Sequence, residues 1–277
     1  LSWSGEFVVD AVDREFAGSI PDVYDEYLVP LIFEQYASDL ADRVRAVGPS
    51  VVLETAAGSG VASRAIASVL DLGATFVVSD LNLPMLERAR SMHDDPGRVE
   101  WRQADCLDLP FETDAFELVA CQFGAMFFPD RVRAYTEVRR VLRDGGVFIF
   151  SMWDRIEEND FAFEVTAALA TLFPDNPPRF LPRTPHGHYR QGTYRRELSA
   201  AGFSNITVEP VDDVSRASDP SVPAIAYCHG TPLRNEIEAL DLAGLEEATR
   251  RATEAISARF GSGAIEGRIR GFVVTAQ

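Results

Sequence analysis

Lysine is missing from this 277-residue chain, and all 26 basic side chains are arginine. That absence removes whole mechanisms. A P-loop Gly-Lys-Ser/Thr, a Schiff base to a carbonyl or to pyridoxal phosphate, and a Tyr-x-x-x-Lys pair of the short-chain dehydrogenase type all need the amine. Cysteine is scarce. Cys106, Cys121 and Cys228 are too few and too scattered for a disulfide framework or a Cys-x-x-Cys metal site, so they read as reduced, packed thiols, and no metal is expected. Long apolar runs are lacking as well, and the opening L-S-W-S-G-E-F-V-V-D has neither the charged nor the apolar region of a signal peptide. The expectation is a soluble, cytoplasmic protein that does not span a membrane. Positive charge is in deficit: 43 acidic residues against 26 basic ones leave a formal net charge of -17. Such a balance argues against nucleic acid or an anionic membrane surface as partner.

What remains is ordinary globular material, 46% hydrophobic and 25% charged, long enough for one large α/β domain with additions. Over residues 21–47 apolar side chains recur at helical spacing, with Gly48-Pro49 as the stop and Pro30 expected to break or kink the run into two helices. Strand and helix patterns then alternate: strand 51–54, helix 61–70, strand 74–80, helix 84–92, strand 98–103, strand 116–122 and helix 131–142. The turn Asp144-Gly145-Gly146 leads into V-F-I-F-S-M-W. This alternation predicts βαβ units and a doubly wound sheet. The second half is less regular, with a helix over 157–173 and a proline-rich stretch over 174–185 that leaves little room for regular structure. A helix over 194–201, a strand over 205–211, one charged helix over 235–260 and a closing strand over 271–276 complete the reading.

The stretch 51–60, V-V-L-E-T-A-A-G-S-G, reads as a strand entering a tight turn of small residues before a helix N-terminus. A dinucleotide site aims such a turn at an anionic pyrophosphate, which a carboxylate at the strand end would oppose. Glu54 therefore points to a ligand whose nearest part is cationic or donates hydrogen bonds, as S-adenosylmethionine does. A buried turn with a locally satisfied Glu is the bland alternative. Asp80 follows twenty residues after Gly60 at the end of the next strand, where a carboxylate can accept both hydroxyls of a ribose. Gln103-Ala104-Asp105-Cys106 follows the third strand, placed to read an adenine through a side-chain acceptor and a backbone N–H. Gln122-Phe123 ends the fourth strand on the carboxyl edge, where open α/β sheets bind ligands.

With E-T-A-A-G-S-G, S-D-L-N-L-P-M-L-E-R-A, R-Q-A-D-C-L-D-L-P-F, F-E-L-V-A-C-Q-F-G-A-M-F-F-P-D and V-L-R-D-G-G-V-F-I-F in this order, the chain resembles the class I S-adenosylmethionine-dependent methyltransferases. The likeness is to the small-molecule group related to the quinone-biosynthesis C-methyltransferases, and it is clear over about residues 24–153. Ala56 stands where the family has its first glycine, at little cost if its φ is negative, and Asp144 stands where the family usually has Pro. The resemblance implies a Rossmann-like seven-stranded sheet of order 3-2-1-4-5-7-6 with the last strand antiparallel. It also implies an S-adenosylmethionine site formed by Glu54, Ala56, Gly58, Gly60, Asp80, Leu81, Met85, Ala104, Asp105, Cys106, Gln122 and Phe123, with Tyr24 closing over it. In one domain it implies a helical lid (1–47), a cofactor-binding core (48–153), an acceptor-site insertion (154–203) and C-terminal strands and helix (204–277).

Methyl transfer from a sulfonium needs positioning and water exclusion more than a catalytic group. Candidate bases are His186, His188 and Tyr24, each of which can equally be structural. Phe123, Met126, Phe127, Phe128, Trp153, Phe161 and Phe163 predict a small, partly hydrophobic acceptor, part of the set being core. Two alternatives stay open: a non-catalytic binder of the same cofactor, or other chemistry with it. A nicotinamide-dependent reductase is disfavoured by Glu54 and by the lack of G-x-G-x-x-G. Oligomeric state is not legible.

Overall fold

The computed structural model describes residues 13, 18–241 and 244–277; apart from Asp13, the part of the expected lid before Gly18 lies outside the described residues. The described chain opens with α1 (Ile20–Val23), a π-helical stretch Tyr24–Phe33, and α2 (Glu34–Val47). Pro30 lies inside the π-helical stretch, which gives way to α2 at Glu34, so the chain stays helical through the proline and changes helix type after it. A proline has no N–H to donate and needs room behind its ring, and the wider π turn meets both demands.

There follow β1 (Val51–Glu54), α3 (Val61–Val69), β2 (Thr75–Asp80), α4 (Leu83–Ser91), β3 (Glu100–Gln103), β4 (Phe116–Cys121), α5 (Arg131–Val141) and β5 (Leu142–Trp153). The strands form one seven-stranded sheet of order β3-β2-β1-β4-β5-β7-β6, where β6 is Ile206–Ala217 and β7 is Ile265–Ala276. Pairings β1–β2, β1–β4, β2–β3 and β4–β5 are parallel. Asn205 and Gln277 exchange backbone bonds in both directions, at 3.4 and 3.2 Å, the signature of antiparallel neighbours for β6 and β7. This is the expected Rossmann-like topology. The expected turn at Asp144-Gly145-Gly146 is instead a bulge within β5. Phe116 faces Leu142 while Leu118 faces Val147, and Gly145 takes φ 76° to absorb the extra residues.

Between β5 and β7 lie α6 (Asp160–Leu172), α7 (Phe180–Arg183), α8 (Gln191–Ala200), β6, α9 (Ser221–His229), α10 (Leu233–Leu240) and α11 (Gly244–Phe260). Two expectations are corrected here, and one helix is added. The proline-rich stretch holds a helical turn, α7, because the Glu236 carboxylate accepts the N–H groups of Arg179 and Phe180 at its start. The single helix expected over 235–260 is two, with Asp241 extended between them. Helix α9 was not foreseen: its residues are almost all buried or half-buried, so they carry no polar face for periodicity to detect.

The chain groups into two compact units, interleaved in sequence. Leu1–Phe33, Trp153–Tyr189 and Val211–Gly271 form one; its α6, α9 and α11 pack together, and the buried Asp13 carboxylate is held by Arg183 and by the Thr184 hydroxyl. Glu34–Met152, Arg190–Pro210 and Phe272–Gln277 form the other. Its core contains stacked Phe148 and Phe150 (4.7 Å), with Tyr135, Tyr194 and Phe203 against them. Among the described residues, the Tyr135 hydroxyl is buried with no hydrogen-bond partner. An unpaired buried hydroxyl costs desolvation without return. Tyr135→Phe should therefore leave stability unchanged or raise it by up to about 1 kcal/mol, read from urea midpoints at constant slope.

Candidate functional site

The site is built on β1, in the middle of the parallel part of the sheet. Glu54 lies opposite Val78 of β2 and Ala120 of β4, and the chain continues along both neighbours: Thr55 N–H donates to Ala120 O (2.9 Å) and Ala57 N–H to Ser79 O (3.0 Å). The Ser79 hydroxyl donates to the Glu54 carbonyl (3.0 Å). These bonds tie the turn between β1 and α3 to two strands before the helix begins.

Ala56 adopts φ +52°, Gly58 +58° and Gly60 +84°. The expectation of a negative φ at Ala56 is corrected: an L-residue here is strained by about 1–2 kcal/mol. The position would suit glycine, and the methyl also shapes its neighbour. A Cβ on Gly124 would lie 2.4 Å from the Ala56 Cβ and 2.8 Å from the Cys121 Sγ. Phe123, just before it, also has positive φ (+50°) and meets Tyr36 edge-on at 4.9 Å. Gly60 is required for a second close approach, since a Cβ there would lie 2.8 Å from Ala89 Cβ of α4.

Both Glu54 carboxylate oxygens are buried with no hydrogen-bond partner among the described residues, and the side chain is 1% exposed. The hydroxyls of Thr55, Ser59 and Ser63 are buried and unbonded as well. Burial pushes the Glu54 carboxyl up to about 8. The Ser63 hydroxyl, near but not hydrogen-bonded, tempers the shift, Asp80 adds to it and Arg64 opposes it. Arg64 itself donates to the Ser59 carbonyl at 3.1 Å.

Asp80 is held differently. Its Oδ2 accepts Gly58 N–H (2.8 Å) and its Oδ1 accepts Asn82 N–H (2.7 Å), which counter a rise driven by burial. The Asn82 side chain and the Leu81 N–H lower the Asp80 pKa as well. Leu81 is 40% exposed beside it, while Met85 is buried in α4. Ala104 N–H donates to Asp80 O (3.0 Å), and Asp105 uses one oxygen on Leu107 N–H (2.9 Å) in an exposed turn. Cys106 and Cys121 are buried, their thiols pushed up by desolvation, Cys121 to about 12. Gln122 is half-buried at the end of β4.

The candidate site residues from Glu54 to Phe123 thus belong to one unit. Tyr24, His186 and His188 belong to the other. There Tyr24 stacks on Phe33 (5.2 Å) and Phe33 meets Trp153 (6.0 Å). His186 is buried, and its Nδ1 lies 2.8 Å from the Asp154 carbonyl, which can only accept, so Nδ1 carries the proton. Burial lowers its pKa to about 4, so the ring is neutral at physiological pH. His188 is half-buried. Thr55, Ser59 and Ser63 were not singled out from the sequence. Their signal was a run of hydroxyls beside an unpaired acid, which spacing alone does not rank above ordinary helix-start serines.

A strand-end acid without a partner, a turn of small residues with positive φ and a second acid on the neighbouring strand fit a nucleoside ligand with a cationic portion. Comparison agrees. Residues 53–150 match the family model described as "Methyltransferase domain". The chain is 38% identical over 105 residues to a demethylmenaquinone methyltransferase of Clavibacter sepedonicus, covering 37% of this chain and 42% of that one. The YcgJ protein of Bacillus subtilis has the same fold (TM-score 0.55, 17% identity, 87% of this chain and 97% of that one), as has the [4+2]-cyclase SpnF (TM-score 0.50, 16% identity, 88% and 81%). Residues 53–150 thus carry a methyltransferase domain similar to that of the quinone-biosynthesis enzymes, and S-adenosylmethionine is the cofactor these matches support. The chain spans about two fifths of the length of the curated relatives it matches over this segment.

Two expectations follow. Gly124→Ala should cost about 1–3 kcal/mol by overpacking, Ala56→Gly should add up to about 1 kcal/mol, and the double variant should exceed their sum by about 1 kcal/mol or more in a denaturation cycle. The second concerns pH. The folded Glu54 pKa lies above its unfolded value, so the folded state holds a proton that the unfolded chain releases. Stability from this group is full below the ordinary Glu range and is lost as pH rises towards about 8, at up to about 1.4 kcal/mol per pH unit. Tm measured across this range should fall less steeply for Glu54→Gln than for the wild type.

Proposed function

We propose that this chain, acting in the cytoplasm, transfers a methyl group from S-adenosylmethionine to a small, partly hydrophobic metabolite. The observation that carries the reading is Glu54, an acid buried at the strand end with both oxygens unpaired beside a small-residue turn. When bound, the cofactor supplies a methyl on a sulfonium, already a good leaving group. In this reading Glu54 receives the cationic end, and the backbone at Ala56, Gly58 and Gly60 leaves room for close approach. Asp80 takes the ribose hydroxyls, Leu81 and Met85 flank the adenine, and Ala104, Asp105 and Cys106 read its edge. Gln122 and Phe123 close the carboxyl side. Tyr24 and the 154–203 segment are assigned to the lid and acceptor side. Water exclusion and orientation supply the rate, up to about 7–11 kcal/mol for ideal alignment. A general base is needed only for a neutral hydroxyl or carbon acid. His186, neutral and with its Nδ1 proton engaged, has only its Nε2 lone pair to offer.

A second reading is other chemistry on the same cofactor, since one protein of this fold is a [4+2]-cyclase. Incubation with methyl-labelled cofactor and a metabolite extract separates the two, because label must appear in a small molecule for the first. For the cofactor itself, calorimetry should show binding of S-adenosylmethionine and S-adenosylhomocysteine but not NADH. At about pH 8 or above, Glu54→Gln should weaken S-adenosylmethionine binding by the roughly 1.5–3 kcal/mol of a charge-assisted hydrogen bond. An unchanged Kd in a folded variant would refute the role given to Glu54.

A further inference from the structure

Among the described residues, neither oxygen of the Glu54 carboxyl has a hydrogen-bond partner. The charged and titratable groups around it are Asp80 from β2, Arg64 from α3 and the Cys121 thiol from β4, with the Ser63 hydroxyl also near. Asp80 repels a carboxylate, its own oxygens already engaged by Gly58 and Asn82 N–H groups. Arg64, the cation among them, spends a guanidinium N–H on the Ser59 carbonyl. The Ser59, Ser63 and Thr55 hydroxyl oxygens are likewise buried with no hydrogen-bond partner among the described residues. A lone anion in such surroundings is expensive, and a neutral carboxyl is not.

We propose that Glu54 is protonated in the free protein and gives up that proton when a ligand ammonium enters, so that the site selects nucleosides carrying an ammonium and couples their binding to pH. The inference rests on the cofactor reading above. On binding, the carboxyl O–H bond breaks, the proton leaves to solvent, and the carboxylate pairs with the N–H groups of the ammonium; on release the proton returns. A nucleoside without the ammonium leaves the carboxyl neutral and exchanges nothing. The unbonded hydroxyls of Ser59 and Ser63 adapt to either state, since each can donate to a carboxylate or accept from a carboxyl or an ammonium.

The test uses the full chain and two nucleosides, S-adenosylhomocysteine, which has the ammonium but no sulfonium, and 5′-methylthioadenosine, which has neither. Calorimetry at about pH 6.5 in buffers of different ionisation enthalpy should find about one proton released with the first and none with the second. Affinity for the first should rise by up to about tenfold per pH unit between about pH 6 and 8, and Glu54→Gln should abolish both the release and the slope. Without any ligand, the infrared difference between wild type and Glu54→Gln at about pH 6.5 should contain the C=O band of a protonated carboxyl. S-adenosylhomocysteine binding with no proton release, or absence of that band, overturns the proposal and leaves the cofactor reading standing. Failure of both nucleosides to bind the folded wild type overturns the cofactor reading and the proposal with it.

Discussion

The carboxyl of Glu54, buried at the end of β1 with both oxygens unpaired, is the constraint around which this structure is arranged. A fold tolerates such a group only if it can be neutral when alone or paired when a ligand is present. The residues nearby are closely fitted to one another. The backbone turns through positive φ at Ala56, Gly58 and Gly60, Gly124 makes room for the Ala56 methyl, and Asp80 is fixed by the same loop it faces. Strained φ at Ala56 and Phe123 puts two costly conformations within one turn of the proposed site, the pattern expected where local geometry serves binding.

Arginine without lysine gives the scaffold a particular kind of fastening. A guanidinium is a planar fork that can bind several acceptors at once. Arg98 donates to the Leu70 and Asp71 carbonyls that follow α3, and Arg140 joins Glu137 to the Leu109 and Phe111 carbonyls. In the other unit Arg183 bridges Asp13 and Glu236. Arg98 and Arg140 hold loops by their backbone acceptors and Arg183 joins two carboxylates, tasks an ammonium performs with less directionality. With 43 acids to 26 arginines, carboxylates outnumber the guanidinium groups that could pair with them.

Much of the first half was legible before the fold was seen. Strands buried on both faces read as apolar runs, the helices between them kept a 3.6-residue period, and the motif order at Glu54, Asp80 and Asp105 carried the family likeness. Legibility fell where burial was complete or where the chain broke a local rule. Helix α9 has almost no exposed face, so it has no period, and Pro30 signals a break that the π turn absorbs. Asp241 interrupts a stretch whose composition is helical throughout.

By itself the sequence determined the alternation that makes a doubly wound sheet, the exclusion of amine chemistry, and the acid at a strand end that is wrong for a pyrophosphate. These are properties of residue type and spacing, which the chain carries into any conformation. Only the tertiary structure decided the φ of Ala56, the closeness of Gly124, the neutrality of His186 and the burial of Glu54 without a hydrogen-bond partner among the described residues. Each of these depends on which atoms from distant segments come within a few ångströms and on how much water they exclude. That is why the same glutamate is an ordinary acid in the linear chain and a proton-holding one in the fold.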